Sequence, residues 1–450
     1  MARQLFGTDG VRGRAGDFLT ADLALSLARA AVTLGADQNS SARSAPPQVL
    51  IVRDTRESGE MLEAAMAAGV TAAGGDALLA GVLPTPAAPL LLQRHGLALA
   101  AVISASHNPY ADNGIKLFAA DGYKLADDDE DRIEAELGRR VQAPERIGRV
   151  KPMRDALEDY VQALHARFAG LDLAGRRILL DCANGATYRA APEIFRRLGA
   201  DVGVLADEPD GRNINDGCGS THPERLVAAM GRGDQDVAFA FDGDGDRVLA
   251  VDRNGVLVDG DELVALAALH LRSAGRLPGG GVAVTVMTNY GFHTAMRDAG
   301  IEVATTAVGD RYVLDELRRR GWALGGEQSG HIIELGFGPS GDGIASALMT
   351  LEALGDRDLA ARDAMQKLPQ RLVNIRGEDR ATLATAMESE PVRAAIARAD
   401  EGLSGRGRVL VRASGTEPLI RVMVEASTQQ ETDHVCAELA RVVEGALATG

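Results

Sequence analysis

Short, fully apolar runs recur along the chain, each closed by a polar turn and followed by a stretch rich in alanine and leucine. Val49-Leu50-Ile51-Val52 leads through Arg53-Asp54-Thr55-Arg56 into an alanine-rich segment ending at Gly74-Gly75. Ile178-Leu179-Leu180 leads through Asp181–Ala186 into a helical segment ending near Gly199. Val282–Val286 leads through Met287–Gly291 into another ending at Gly300. Each glycine opens onto a further apolar run: Ala77–Ala80, Val202–Leu205 and Ile301–Thr305. Strand, turn, helix, glycine, strand is the βαβ pattern, and continuous apolar strands mean a mostly parallel sheet covered on both faces.

Past Pro369 the pattern changes. Leu372–Ile375 reads as a strand, two helical stretches follow, and Arg408–Arg412 and Leu419–Glu425 read as strands around a Ser-Gly-Thr-Glu-Pro turn. No βαβ order appears there, which predicts a smaller α+β domain. A chain of 450 residues is too long for one core. The expected organisation is α/β, with three similar domains over residues 1–152, 153–253 and 254–368 and mixed, mostly parallel sheets. An α+β domain over 369–450 completes it. Within the first domain, Ala21–Thr33 reads as an amphipathic helix and Gln38–Pro47 as a polar, proline-bearing surface loop.

Composition narrows the partners. The 64 acidic residues against 48 basic ones give a net charge of −16, which argues against a nucleic-acid partner, whose phosphates need a basic face. Cys182, Cys218 and Cys436 are far apart and form no C-x-x-C pair. They fit a reducing cytoplasm without disulfides or a thiolate metal site. The amino terminus lacks a signal pattern, and no run approaches the ~18 apolar residues of a membrane span. A cytoplasmic protein without a membrane partner is expected.

Chemistry concentrates in six stretches. In Val102–Phe118 an apolar strand collapses into Ser104-Ala105-Ser106-His107-Asn108-Pro109, and Lys116 lies ten residues beyond Ser106. Pro109 pushes Asn108 toward an extended conformation, so the loop cannot continue as helix and presents a serine hydroxyl at a strand end. Asn113-Gly114 reads as a tight turn. In Val237–Arg247, Asp242, Asp244 and Asp246 alternate with glycine directly after a buried strand and precede Arg247. Three carboxylates this close repel one another and call for a cation, and an all-oxygen set favours Mg²⁺, Mn²⁺ or Ca²⁺ over zinc. An EF-hand is excluded, because Arg247 and Arg253 stand where its glycine and glutamate belong. Phe6–Arg14 sets Arg12 among glycines in a compact loop, which reads either as able to face an anion or as a plain entry turn. Glu327-Gln328-Ser329 offers donors and acceptors for vicinal hydroxyls, and Gly309-Asp310-Arg311 reads as a second polar loop beside it; each is weak as an isolated motif, and a histidine such as His331 alone is more often structural. Arg412–Arg421 has the residue types of a phosphate cradle, whereas no G-x-x-x-x-G-K-[ST] loop occurs.

Taken in order, Ser104–Pro109, Asp242–Arg247, Gly326–His331 and Arg412–Pro418 resemble the serine, metal, sugar and phosphate loops of the α-D-phosphohexomutase family, one per domain. The opening Phe6–Gly13 and Glu327-Gln328-Ser329 resemble those members that act on glucosamine phosphates. The resemblance implies a heart-shaped, four-domain enzyme with its site in a central cleft. It would interconvert glucosamine 6-phosphate and glucosamine 1-phosphate, on the route to UDP-N-acetylglucosamine and cell-wall precursors. It implies Ser106 as the phosphoryl carrier, with one Mg²⁺ per chain held by Asp242, Asp244, Asp246 and the Ser106 phosphate. Arg12, His107, Lys116 and Arg247 would lie at the reacting oxygens. Gly309, Asp310, Arg311, Glu327, Gln328, Ser329 and His331 would bind the sugar, and Arg412, Ser414, Gly415, Thr416 and Arg421 the distal phosphate. Glucosamine 1,6-bisphosphate would be intermediate and activator, a homodimer is suggested, and a kinase or a bisphosphate would prime Ser106. Three alternatives stay open: a mutase of the same family acting on mannose or glucose phosphates, a metal-dependent phosphomonoesterase, and a non-catalytic sugar-phosphate binder. The Ser106–Lys116 loop argues against the last.

Overall fold

The Val49–Val52 run becomes the middle of a seven-stranded sheet in the computed structural model. In spatial order the strands are β1 (Phe6–Gly7), β2 (Gly10–Arg14), β6 (Asp112–Ala119), β5 (Leu99–Ile103), β3 (Gln48–Arg53), β4 (Asp76–Val82) and β7 (Val150–Pro152). β3 pairs in parallel with β4 and β5, and β4 with β7. The flank β5–β6–β2–β1 is antiparallel, so the sheet is mixed. Alternate residues of β3 serve opposite faces. Val49 and Ile51 join the core with Leu27 of α1 (Ala21–Gln38) and Met66 of α2 (Ser58–Ala72), while Leu50 and Val52 are buried on the other side. The same stretch of chain carries α3 (Ala87–His95) and α4 (Asp127–Glu136), and α5 (Ala156–Arg167) follows β7.

Residues 5–7, 9–38, 46–138, 143–231, 233–414 and 418–449 are described by the structure; most of the Gln38–Pro47 loop lies outside them. They divide into two units, Met1–Val286 with Ala304–Arg362, and Met287–Val303 with Asp363–Gly450. Among the described residues no helix is long and apolar enough to cross a membrane.

Two more sheets lie in the first unit, the outer strand of the second only from Ala304 on. One runs β12 (Leu257–Val258), β11 (Val248–Asp252), β10 (Val237–Phe241), β8 (Arg177–Asp181), β9 (Asp201–Leu205), with α6 (Ala190–Arg197) and α7 (Glu224–Met230). β8 is parallel to both β9 and β10, and all five residues of β10 are buried. The other runs β14 (Glu302–Thr306), β13 (Gly281–Thr285), β15 (Leu324–Gly326), β16 (Ile332–Glu334), with α8 (Gly260–Ser273), α10 (Asp310–Arg320) and α11 (Gly343–Leu354).

In the second unit β17 (Gln370–Arg376), β19 (Leu419–Glu425) and β18 (Arg408–Ala413) form an antiparallel sheet with β19 central, accompanied by α9 (Tyr290–Asp298), α12 (Arg380–Glu388), α13 (Glu390–Leu403) and α14 (Gln429–Thr449). The sequence pattern places α9 in the third α/β domain. Buried Glu425 explains why it clusters here: its carboxylate accepts from Arg408 Nε (2.8 Å) and from the first amide of α9, Tyr290 N (2.8 Å).

Three expectations fail. Phe6–Arg14 is not a loop throughout but carries the paired strands β1 and β2, with Arg12 inside β2. Asp310 and Arg311 are the first turn of α10 and not a loop. Asn113-Gly114 is not a turn but the start of β6, paired with Gly13 and Arg12 of β2. The glycine is required by close approach, since a Cβ there would lie 2.5 Å from Ser104 O.

A buried acid joins two of the α/β regions. Tyr160 of α5 donates its hydroxyl to Asp342 (2.9 Å to Oδ2), which caps α11 by accepting from Ala345 N at 2.9 Å. Burial raises the Asp342 carboxyl to about 6, against the opposing pull of the Ala345 amide and the Tyr160 hydroxyl. An unfolded aspartate loses its proton near pH ~3.9. The folded chain therefore binds the extra proton between those values, and the stability this group contributes is full below about pH 3.9 and lost as pH rises through about 6. Asp342→Asn has no such proton to lose. Its unfolding midpoint should improve relative to the parent as pH rises from about 4 to about 7; a difference that does not vary with pH contradicts this.

Candidate active site

The serine loop begins where β5 ends. Ser106 has φ +52°, the left-handed region, which costs a non-glycine residue about 1–2 kcal/mol. Hydrogen bonds on both sides hold it there. Its amide donates to Ser104 Oγ (2.9 Å), which in turn donates to Asp54 Oδ2 (2.5 Å). Its carbonyl accepts from Arg56 Nη2 (2.8 Å) and Asn215 Nδ2 (2.9 Å). With the backbone fixed, Oγ donates to Asp242 Oδ2 at 2.5 Å and lies 3.2 Å from His107 Nδ1.

Asp242 opens the acidic loop directly after β10. One oxygen from each of Asp242, Asp244 and Asp246 lies within 4.8 Å of the others, and all three residues are buried. Thr85 Oγ1 (2.7 Å) and Lys116 Nζ (2.9 Å) both donate to Asp244 Oδ2. The second oxygens of Asp244 and Asp246 are buried and have no hydrogen-bond partner among the described residues. Buried orphan carboxylate oxygens, all hard ligands, fit a divalent cation. Electrostatics agree: burial, then Asp246 and Asp244, push Asp242 well above the usual carboxylate range. Burial also pulls Asp244 upward, but the Lys116 ammonium and the Thr85 hydroxyl overcome it and hold the carboxyl low. Gly243 lets the two loops meet, because a Cβ there would fall 2.5 Å from Ser106 O and 2.7 Å from Asn215 Nδ2.

Cations surround this pair of loops. Lys116, buried in β6, also reaches Asp9 Oδ2 at 3.2 Å and Asp246 Oδ2 at 3.9 Å. Burial disfavours its charge, yet Asp244, Asp9 and Asp246 outweigh that and keep the ammonium protonated. Arg12 and Lys124 both pair with Asp9, and Lys124 also donates to Asp310 Oδ2 at 2.6 Å. Arg247 donates its amide to Asp242 Oδ1 (3.2 Å) and sets its guanidinium 3.8 Å from Asp246 Oδ1. Burial, with Arg247 and Arg12 nearby, lowers His107 below the ordinary imidazole range, which favours the neutral ring beside Ser106.

Of the residues read as sugar ligands, Glu327 accepts from Gly309 N at 3.0 Å, Gln328 Nε2 donates to Asp259 Oδ2 at 3.3 Å, and Ser329 is exposed. Arg311 pairs with Asp127. His331 is buried behind the acidic loop: Nε2 accepts from Gly341 N at 3.1 Å and Nδ1 lies 3.6 Å from Asp246 Oδ2. In the second unit Arg412 and Arg421 face each other across β18 and β19, and Ser414 N donates to Leu419 O at 2.8 Å. Gly415 and Thr416 lie outside the described residues. Sequence reading gave no role to Asp9, Asp54, Arg56, Thr85, Lys124 or Asn215. Only Asp54-Thr55-Arg56 carried a signal, charged residues set directly after an apolar strand where open α/β sheets build sites.

Four family models match the chain in order: phosphoglucomutase/phosphomannomutase alpha/beta/alpha domain I over residues 3–143, domain II over 158–255, domain III over 259–372, and the C-terminal domain over 372–442. The chain is similar to a protein named phosphoglucosamine mutase from Moorella thermoacetica, 49% identical over 456 residues that cover 98% of this chain and 99% of that protein. It is similar to another of that name from Desulforudis audaxviator, 50% identical over 453 residues covering 98% and 97%. In fold it resembles a phosphoglucomutase/phosphomannomutase family protein of Burkholderia thailandensis, with TM-score 0.81, 24% identity, and 98% and 97% of the two chains covered. It also resembles the Aspergillus fumigatus N-acetylphosphoglucosamine mutase solved with GlcNAc-6P and magnesium, with TM-score 0.67, 20% identity, and 99% and 96% covered.

The contact at Gly243 gives a direct test of how the two loops depend on each other. Gly243→Ala puts a methyl into Ser106 O and must part the loops, so affinity for Mn²⁺ measured by calorimetry should fall about ten- to a hundredfold, as when support behind a metal ligand is lost. Unchanged affinity contradicts the packing.

Proposed function

The chain belongs to the phosphoglucomutase/phosphomannomutase family, and from that premise we propose that it interconverts glucosamine 6-phosphate and glucosamine 1-phosphate through a phosphorylated Ser106. The observation that carries the reading is the Ser106 hydroxyl 2.5 Å from one carboxylate of the buried three-aspartate cluster, with Lys116 2.9 Å from another.

Phosphoryl transfer has a loose, highly charged transition state, so the protein chiefly positions and neutralises. Phosphoserine carries about −1.5 to −2 charge at neutral pH. Lys116, Arg12 and Arg247 lie around the cluster to offset it. Asp242, Asp244 and Asp246 hold one Mg²⁺ per chain, which when bound neutralises charge on the phosphoryl oxygens. A hydroxyl of the sugar phosphate attacks phosphorus and releases its proton. The bond from phosphorus to Ser106 Oγ breaks, and the serine oxygen takes up a proton. The product of this half is glucosamine 1,6-bisphosphate. The bisphosphate turns and returns its other phosphate to Ser106, and the same compound, rebinding, recharges a chain that has lost its phosphate. Glu327 and Ser329 bind sugar hydroxyls, while Arg412, Ser414, Gly415, Thr416 and Arg421 hold the phosphate that is not reacting.

Three outcomes are expected in a coupled assay that separates isomerised sugar from free phosphate. Ser106→Ala should lose turnover by about a thousandfold or more, and chelator should abolish activity that Mg²⁺ restores. Glucosamine 6-phosphate should lead glucose and mannose 6-phosphates in kcat/KM. A charge-assisted hydrogen bond to the amine is worth about 1.5–3 kcal/mol, or about ten- to a hundredfold. Free phosphate as the main product, or mannose 6-phosphate turned over equally well, contradicts the proposal.

A further inference from the structure

We propose that Arg56 is the positioning residue that holds Ser106 in its reactive attitude. The assignment rests on the phosphoserine reading above and adds a residue to it that touches no sugar. Arg56 lies in the turn after β3 and is wholly buried. Its Nε donates to Asp54 Oδ2 at 2.8 Å. Its Nη2 donates to Ser106 O at 2.8 Å and to Asn108 O at 2.9 Å, and its Nη1 to Asp112 O at 2.9 Å and to Pro109 O. A guanidinium has five N–H donors, and here every one has an acceptor.

Four of those acceptors are carbonyls of one loop, between Ser106 and Asp112. A planar fork of fixed geometry therefore sets the loop's shape at four points, a task a lysine with three donors on one atom cannot perform. The loop needs such a template, because Ser106 is left-handed and would otherwise relax. Ser106 O receives a second donor, Asn215 Nδ2 at 2.9 Å, which also reaches Asn108 O at 3.2 Å. The carbonyl is thus held by the first domain through Arg56 and by the second through Asn215, and it packs against Gly243 of the acidic loop. The clamp has two consequences. It directs Oγ to Asp242, and it draws four carbonyl dipoles onto a cation instead of leaving them free to face a phosphorylated serine. A buried ion pair adds little net stability, so the Asp54–Arg56 pair has its main value in fixing this geometry.

The experiment is Arg56→Lys in the full chain, with Asn215→Leu beside it as a variant that removes one donor without unpairing a buried charge. Kinetics are run with glucosamine 6-phosphate, and folding is checked by thermal unfolding. Misplacing a reacting group by about 1 Å costs about a hundredfold, so kcat should fall by about that in Arg56→Lys and by about tenfold in Asn215→Leu, with KM kept within about threefold. Guanidinium ion should partly restore kcat to Arg56→Ala and leave Ser106→Ala inert. Parent-like kcat in folded Arg56→Lys overturns the assignment, as does a loss expressed in KM rather than kcat. If Arg56→Lys does not fold, parent-like kcat in Asn215→Leu overturns it. A parent that releases free phosphate instead of isomerised sugar overturns the mutase reading alone. The Arg56 assignment then still requires phosphate release from labelled Ser106 to slow in the same variants, and an unchanged rate overturns it.

Discussion

Three carboxylates gathered inside 4.8 Å in a buried loop are an electrostatic debt that the surrounding structure is arranged to offset. Lys116 answers part of it from β6, Thr85 satisfies one oxygen of Asp244, and Arg247 covers the outer edge near Asp246. Two carboxylate oxygens, Asp244 Oδ1 and Asp246 Oδ1, are buried with no hydrogen-bond partner among the described residues, and an unsatisfied polar atom there is expensive. The cluster holds together only because it comes off a strand buried along its whole length and meets the serine loop through a glycine.

Charge balance spreads from there in a chain. Asp9 takes Arg12, Lys116 and Lys124, and Lys124 passes on to Asp310 at the start of α10. The sheet that supplies the serine is thereby tied to the helix after β14, beside the Gly309 amide that Glu327 accepts. His331 backs Asp246 with a ring whose Nε2 is already committed to the Gly341 amide, which sets the tautomer that faces the carboxylate.

The βαβ runs and the serine and aspartate loops that follow β5 and β10 are legible in the sequence because they depend on local periodicity and on chemistry concentrated within ten residues. The first sheet is mixed as expected, its parallel centre coming from the apolar runs and its antiparallel flank from β6, β2 and β1. Asn113-Gly114 misleads because a turn dipeptide and a close-approach glycine look alike until Ser104 O is in place above it. Arg56 and Asn215 are not legible for another reason. Their partners are backbone carbonyls, which carry no sequence signature, and Asn215 meets Ser106 across 109 residues. The attachment of α9 to the C-terminal sheet is hidden in the same way, since it runs through one buried glutamate at the end of a strand that is apolar but for Arg421.

The central claim is that Ser106, and not Ser104 two residues before it, carries the phosphate. Ser104 Oγ is wholly buried and committed twice, donating to Asp54 and accepting from the Ser106 amide, whereas Ser106 Oγ faces the acidic cluster. Phosphopeptide mass spectrometry on the chain after incubation with a hexose 1,6-bisphosphate decides between them. Phosphate on Ser106, absent from Ser106→Ala, is the result the geometry requires; phosphate on Ser104, or on neither serine in a chain that still isomerises the sugar, contradicts it.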